Sequence, residues 1–340
     1  MHLTSRDVWL ERFLLPLRVR HRAGPRRVRY GEHEAIVVSL SKDSEYHVVP
    51  FIEHYRRLGA KHVVLLDTGS TDRTIDRASA YPFVSVFETP VPFRRNNRQM
   101  RRYLVRRFCG RNRWVLTVDI DELFDYPCSD RVDLASLLRY LRERRFTAMA
   151  AYILDMLPDR PLGAIDPAVP LRDACRWYDI SAVRRIGYFD TDAYRGERWV
   201  ANNVVANPEI KRYVGGIRAQ AFDLRDVYLI KHPLMRRDGR TRLVHQHFVD
   251  FASVADITGV LYHYKFVPGF RSKVDAAVRD GTYAQDSWEY RHYQRALDRE
   301  PDLMLKTTTA RELRGVDDLV AGGFLQVTDD YRTWVEKTNR

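Results

Sequence analysis

Four short apolar runs, each followed by a polar turn, fill the stretch from residue 35 to residue 118. They are Ala35-Ile36-Val37-Val38-Ser39-Leu40, Lys61-His62-Val63-Val64-Leu65-Leu66, Val84-Ser85-Val86-Phe87 and Trp114-Val115-Leu116-Thr117-Val118. Each is too short for a helix and is bounded by turn residues, so each predicts a buried strand. Between the first two, Val48, Val49, Phe51, Ile52, Tyr55 and Leu58 recur at helical spacing, and Gly59 supplies a C-terminal cap. The turn Asp67-Thr68-Gly69-Ser70-Thr71-Asp72 caps a helix over 73–80, and 98–108 reads as a basic helix. This β-α-β-α-β-α-β order predicts a parallel, doubly wound sheet. Ligands of such sheets sit beyond the carboxyl ends of the strands. The polar segments 41–44, 67–72 and 119–122 lie at three such ends and point to one crevice.

After residue 130 the pattern loosens. A helix is expected over 134–141, a strand over 148–154 and loops over 155–200. A mixed region follows Gly215-Gly216-Ile217-Arg218, then a late strand over 259–266 and polar-aromatic helix over 270–300. The last 40 residues show no clear period. The divisions are a basic leader at 1–33, a first half at 34–130, a second half at 131–270 and a C-terminal helical extension at 271–340.

The net charge of +12 favours anionic partners: phosphates, nucleic acid or an acidic membrane face. An Arg-rich solvated surface is the plainer account, since acidic residues are also numerous. Cys109, Cys128 and Cys175 form no CxxC pair, and an odd count fits a reducing cytoplasm. No apolar run is long enough to span a bilayer, and the charged start does not read as a signal peptide. Val8-Trp9-Leu10 and Phe13-Leu14-Leu15, followed by Arg18, Arg20, Arg22, Arg26, Arg27 and Arg29, suit a short amphipathic helix. Such a helix touches anionic lipid or packs on its own domain. The expected location is the cytoplasm, with the inner face of the membrane as a peripheral alternative.

Asp119-Ile120-Asp121-Glu122 is the chief chemical candidate. Two carboxylates spaced i, i+2 on an extended chain point the same way. They are hard oxygen ligands suited to Mg²⁺ or Mn²⁺, and an ion there neutralises a diphosphate leaving group. An acidic turn that merely caps the next segment is the competing reading. An aspartyl phosphatase also carries such a motif, but there it closes the first strand of the fold, not the fourth. In the 67–72 turn, Gly69 permits close approach to a ligand, Asp67 suits a base or ribose contact, and Asp72 suits a helix cap.

Residues 35–126 resemble the first half of a GT-A glycosyltransferase of the family 2-like branch. Asp67 to Thr74 is similar to that family's D-D-G-S-T-D-x-T pattern, with Thr68 in place of the second Asp. Trp114 to Phe124, WVLTVDIDELF, is similar to its W-x-x-x-x-D-x-D-E segment. Gly215-Gly216-Ile217-Arg218 and Leu261-Tyr262-His263-Tyr264-Lys265-Phe266 also look like this branch. The resemblance implies an α/β GT-A (Rossmann-like) fold: a mixed, mainly parallel sheet flanked by helices, with a C-terminal helical or irregular extension. It makes 34–130 the nucleotide-binding half and 131–270 the acceptor-binding half. It implies that Ser39 to Ser41 approach the nucleotide, that Asp67 binds the base, that Asp119 serves the ribose or metal, and that Asp121 is the main metal ligand. A late histidine often completes such a metal site; His263 is the first candidate and His247 the second, and imidazole suits Mn²⁺ better than Mg²⁺.

An inverting transferase needs a carboxylate beside the acceptor hydroxyl. Asp155, which follows an expected strand, is the choice among Asp155, Asp190, Asp192, Glu197, Asp250 and Asp256. Many family members carry a Glu-Asp pair after the Gly-Gly element, and this chain has none after Gly216. Arg98, with Arg94, Arg95, Arg101 and Arg102 beside it, suits the diphosphate; Lys265 and Arg271 are similar candidates. Trp177, Tyr178, Tyr188, Tyr194 and Trp199 stack on an acceptor sugar or pack internally. The expected function is metal-dependent, inverting transfer from a nucleotide-diphosphate sugar to a saccharide or lipid-linked acceptor, as in polysaccharide biosynthesis. The alternatives are a catalytically silent GT-A-fold binding protein and a basic nucleic-acid-binding protein, though no nucleic-acid module is visible.

Overall fold

A computed structural model describes residue 9 and residues 13–281 and 284–338, apart from the side chains of 94, 95 and 284–286. Among the described residues one sheet of ten strands organises the chain. The strands are β1 Arg20–Ala23, β2 Ala35–Ser41, β3 His62–Asp67, β4 Val84–Glu88, β5 Trp114–Thr117, β6 Glu122–Asp125, β7 Ala148–Asp155, β8 Val204–Val205, β9 Ile230–Arg236 and β10 Ser253–His263. Their order is β1-β4-β3-β2-β5-β9-β7-β10-β8, with β6 also paired to β10. Among the helices are α1 Glu45–Arg57, α2 Thr74–Ser79, α3 Phe93–Phe108, α4 Leu134–Glu143, α5 Ile217–Phe222, α6 Phe270–Asp280, α7 Ala284–Arg299 and α8 Asp329–Thr338, with further short ones at Leu15–Arg18, Leu171–Ala174, Glu197–Val200 and Val316–Ala321.

The four apolar runs are the parallel block β4-β3-β2-β5. β2 and β3 are buried at every position, which is why they read as continuous runs and not as alternating ones. The fold class is the expected one: α/β, mixed and mainly parallel, flanked by helices, with helices α6 to α8 and irregular chain at the C-terminal end.

The parallel block does not continue through the second half. β9 lies between β5 and β7 and is antiparallel to both. Its sequence, Ile-Lys-His-Pro-Leu-Met-Arg, breaks apolar patterning with three polar or cyclic residues, so no strand was expected there. Proline is tolerated in this central strand because the register with β7 shifts between Lys231 and Leu234. The late strand runs over Ser253–His263 rather than 259–266, and α3 begins at Phe93 rather than 98.

β10 carries the arrangement that matters for the site. β7 lies parallel to it and pairs His263 with Asp155; β6 lies antiparallel to it and pairs His263 with Glu122. One row across three strands therefore holds Asp155, His263 and Glu122. Gly259 makes the β6 contact close: a Cβ there would sit 2.7 Å from both the Asp125 carbonyl oxygen and the Phe124 ring. α1 locks β6 from the other side. Tyr55 Oη donates to the Glu122 carbonyl and accepts from the Phe124 N–H, each at 3.0 Å, so these buried backbone groups are satisfied.

Candidate active site

The 119–122 run is a turn, not an extended segment: the Glu122 N–H donates to the Asp119 carbonyl at 3.0 Å. The two carboxylates therefore serve different neighbours.

Asp119 faces cations. Arg101 Nη2 donates to its Oδ1, and Lys231 Nζ lies 2.5 Å from its Oδ2. Lys231 also reaches Glu122 Oε1 at 2.6 Å, and Glu122 Oε2 accepts the Asp119 N–H at 2.9 Å. Burial opposes ionisation of Asp119, but Arg101 and Lys231 outweigh it and hold its carboxyl well below the usual range. His245 stands close by. Burial lowers its pKa to about 3, helped by the charges of Lys231, Arg98 and Arg101. Arg101 and Lys231 thus converge on one carboxylate, and Arg98 is close enough to act on the neighbouring His245.

Asp121 faces His263, whose Nε2 lies 3.4 Å from Asp121 Oδ2. On the far side of the ring, Nδ1 lies 2.6 Å from Asp155 Oδ1. Arg218 holds Asp155 through two bonds of 2.8 and 2.7 Å and also reaches His263 Nδ1 at 2.8 Å. Burial works against charge on the imidazole, but Asp121 and Asp155 outweigh it and raise its pKa. His47, which sequence reasoning missed, joins this group: its Nε2 donates to the Tyr264 carbonyl at 2.9 Å. Burial keeps His47 neutral, although the Asp121 charge opposes that effect. Arg218 further neighbours Glu289 at 3.7 Å, which Lys265 pairs at 3.0 Å.

Asp155 is thus not placed as a free base. It is buried, both oxygens accept from Arg218 and one also meets His263, and these partners hold it well below the usual carboxylate range against the pull of burial. A base must be open to the acceptor hydroxyl.

Asp67 is also occupied. Its Oδ1 accepts from the Gly69 and Ser70 N–H groups at 2.9 and 2.7 Å, and its Oδ2 from Ser41 and Ser70 hydroxyls at 3.1 and 2.5 Å. Those four bonds match the capacity of a carboxylate, so Asp67 shapes the loop at the crevice instead of presenting a free acceptor. Asp72 does not hold the N-cap position of α2, which is Arg73; it accepts from the N–H of Thr74 and of Glu45, both at 2.9 Å, joining the loops before α1 and α2. Ser39 lies inside β2, fully buried, two residues short of the strand end.

The remaining candidates separate cleanly. Arg271 pairs with Asp275 and Asp298, and Lys265 with Glu289, so both serve the C-terminal helices. The side chains of Arg94 and Arg95 lie outside the described residues. Tyr178 and Tyr188 are buried, and Lys306 covers Trp177 at 3.4 Å from the ring centroid. Trp199 remains half-buried and stacks on His245, with centroids 4.2 Å apart. That stack ties Trp199 to the Arg98, Arg101 and Lys231 cluster. Two residues before it, Glu197 has a buried Oε2 with no hydrogen-bond partner. His247 donates its Nδ1–H to the Ile230 carbonyl, 3.0 Å away, on the Lys231 side of the site.

Among the described residues, no three His, Cys, Asp or Glu side chains gather as a self-sufficient metal centre. The residues present do fit a substrate-chelated ion. Mg²⁺-type sites use one or two protein ligands and complete their shell with water and substrate phosphate. A histidine backed by a carboxylate is the usual support of a ligating imidazole.

No protein-family model matches the chain, and no curated protein matches it. Among solved structures, it is similar to residues 1–349 of TarS from S. aureus, with 14% identity and a TM-score of 0.29. That match covers 38% of this chain and 42% of the TarS chain, so the chain spans less than half of that structure. It is also similar to HddC from Yersinia pseudotuberculosis, with 10% identity and a TM-score of 0.32, over 71% of this chain and 97% of that one. Superpositions this loose carry no argument about what the present chain does.

Proposed function

We propose that this chain is a glycosyltransferase that uses a nucleotide-diphosphate sugar and passes the sugar to a saccharide or lipid-linked hydroxyl. The observation that carries the reading is the meeting of two unlike clusters beyond β5. One is the Asp121–His263 pair backed by Asp155 and Arg218; the other is Arg101 and Lys231 around Asp119, with Arg98 acting on the adjoining His245.

A diphosphate suits the second cluster, where Arg101 and Lys231 exchange Asp119 for phosphate oxygens. Asp121 and His263 would hold Mn²⁺ or Mg²⁺. Such an ion supplies Lewis-acid neutralisation of the leaving diphosphate, and the imidazole favours Mn²⁺. Asp155 and Arg218 position His263. Glu197 takes the acceptor proton, since its Oε2, unlike either oxygen of Asp155, has no hydrogen-bond partner among the described residues. A single displacement with inversion follows from one base on the acceptor side.

Thermal denaturation with UDP or GDP, with and without Mn²⁺, tests the donor half. Ligand at a hundredfold excess over Kd adds about 2.7 kcal/mol, enough for a clear shift in Tm. We expect a metal-dependent shift for one nucleotide, lost in Asp121→Ala. Wild-type protein that no nucleoside diphosphate stabilises in the presence of Mn²⁺ overturns the reading. For the acceptor half, Glu197→Gln should lower kcat by roughly 10²–10⁴-fold and leave donor affinity unchanged. An unaltered kcat removes Glu197 from the role.

One observation favours a second reading, donor binding without transfer: both Asp119 oxygens are already taken by cations. Nucleotide stabilisation with neither transfer nor slow donor hydrolysis, across an acceptor panel, would support it.

A further inference from the structure

The N-terminal segment and the edge of the sheet carry a feature that the donor and acceptor chemistry does not use. Among the described residues, seven large apolar side chains are exposed, and three of them fall within nine positions: Trp9 at 54%, Phe13 at 58% and Leu17 at 83%. They stand four residues apart, the spacing of one helical face. The segment is nevertheless anchored, because Leu15 is fully buried in the core and Leu14 packs against it. Phe13 and Leu17 therefore project from a fixed base.

The chain that follows is rich in arginine, although Glu11 stands between Trp9 and Phe13 in sequence and Glu88 pairs with Arg22 at 3.4 Å. Between Phe13 and Gly31 the chain has six arginines and no carboxylate. Beside Pro16 opens a cavity of about 510 Å³, with Phe87 and Tyr103 among its walls and His21, Arg26, Arg106 and Arg107 supplying its charge. Arg26 and Arg107 are exposed at its rim. β1, the edge strand, pairs only with β4. Three strands, β4, β3 and β2, separate β1 from β5, so the surface lies roughly 20 Å from the strand that feeds the candidate active site. Contact there leaves the crevice open.

Among the described residues, no helix is long and apolar enough to cross a membrane. An aromatic and aliphatic stripe ringed by arginines matches an interfacial element instead. We propose that the chain docks on an anionic lipid bilayer through Trp9, Phe13 and Leu17, with the Arg26–Arg107 cavity receiving a lipid phosphate. The occupant is a membrane and not a nucleic acid because Phe13 and Leu17 stand exposed on the anchored segment whose Pro16 lines the basic cavity. Phosphodiester recognition by duplex DNA has no use for them, whereas burial of such side chains in the acyl boundary is favourable.

Sedimentation of the full chain with phosphatidylcholine vesicles, with and without phosphatidylglycerol, tests this without any readout of transfer or donor binding. Binding should require phosphatidylglycerol and weaken with salt. Phe13→Ser with Leu17→Ser should lower partitioning more than about tenfold, since both side chains lose their apolar burial in the acyl boundary. Arg26→Glu with Arg107→Glu should also lower it at least about tenfold, by reversing two charges that face the anionic surface. All four positions are exposed, and an unchanged thermal melt confirms that each variant is folded. No preference of the wild type for anionic vesicles overturns the proposal. So does vesicle binding that the Phe13 and Leu17 changes leave intact, or duplex DNA that competes the vesicles away at equal phosphate.

Discussion

Arg218→Met is expected to destabilise the protein by about 3–5 kcal/mol, the usual cost of stripping one partner from a buried ion pair. Arg218 is 5% exposed and donates twice to Asp155, which is 6% exposed. Its removal leaves that carboxylate in the core with only His263 as a counter-group, and weakens the support of Glu289 as well. Urea unfolding at neutral pH reads the loss as a lower midpoint at unchanged slope. The control is the double variant Arg218→Met, Asp155→Asn. Without an uncompensated charge it should recover much of the deficit, giving a coupling energy well outside additivity. Additive single effects would mean that the pair is not a unit. The same change should also weaken any metal-dependent nucleotide stabilisation, because His263 would lose the group that fixes Asp155 behind it.

Why Arg218 escaped a functional reading is instructive. In sequence it is only the last residue of Gly215-Gly216-Ile217-Arg218, in a chain rich in arginine, and nothing there gives it a role of its own. Its burial depends on Gly215 and Gly216, whose φ values of +87° and +63° turn the chain so that α5 enters the core. Local patterning does not show where that turn points. Lys231 was hidden for a related reason. It sits with His232 and Pro233 in the middle of β9, and such a string contradicts the continuous apolar pattern by which β2 and β3 were recognised. His47 lies on the apolar face of α1 and looks like packing. By contrast, the parallel block, the 67–72 turn and the place of 119–122 at a strand end were legible, because each strand there ends abruptly in polar residues. What was not legible was the direction of each carboxylate. Asp119 and Asp121 diverge around a turn, and Asp67 is spent on its own loop, so a motif placed all three residues but not their oxygens.

Acidification should unfold this protein well above the range in which its carboxylates titrate. The cause is a set of buried histidines held neutral by fixed hydrogen bonds. His54 donates Nε2–H to the Phe124 carbonyl at 2.7 Å and accepts from Arg172 at 2.8 Å; burial, with Arg172, lowers its pKa to about 3. His232 accepts from the Tyr188 hydroxyl at 2.7 Å, and burial lowers its pKa to about 4. Below the ordinary histidine value near 6.5 the unfolded chain binds these protons and the folded chain does not, so stability falls with falling pH until each folded pKa is reached. At pH 4.5 the two rings together cost roughly 5 kcal/mol, a third or more of a typical domain's stability. Burial acts on His245 and His247 in the same direction, while His263, whose pKa is raised by Asp121 and Asp155, gains stability as pH falls and offsets part of the loss. Circular dichroism across pH 7 to 3 should therefore show a cooperative transition that begins below pH 6. His54→Gln retains a donor and an acceptor in place of the ring nitrogens but does not titrate. It should flatten the dependence of stability on pH by about 1.4 kcal/mol per unit between pH 6 and 4, seen as a lower acid midpoint. An identical midpoint and slope for His54→Gln and wild type would show that the acid transition belongs to other groups.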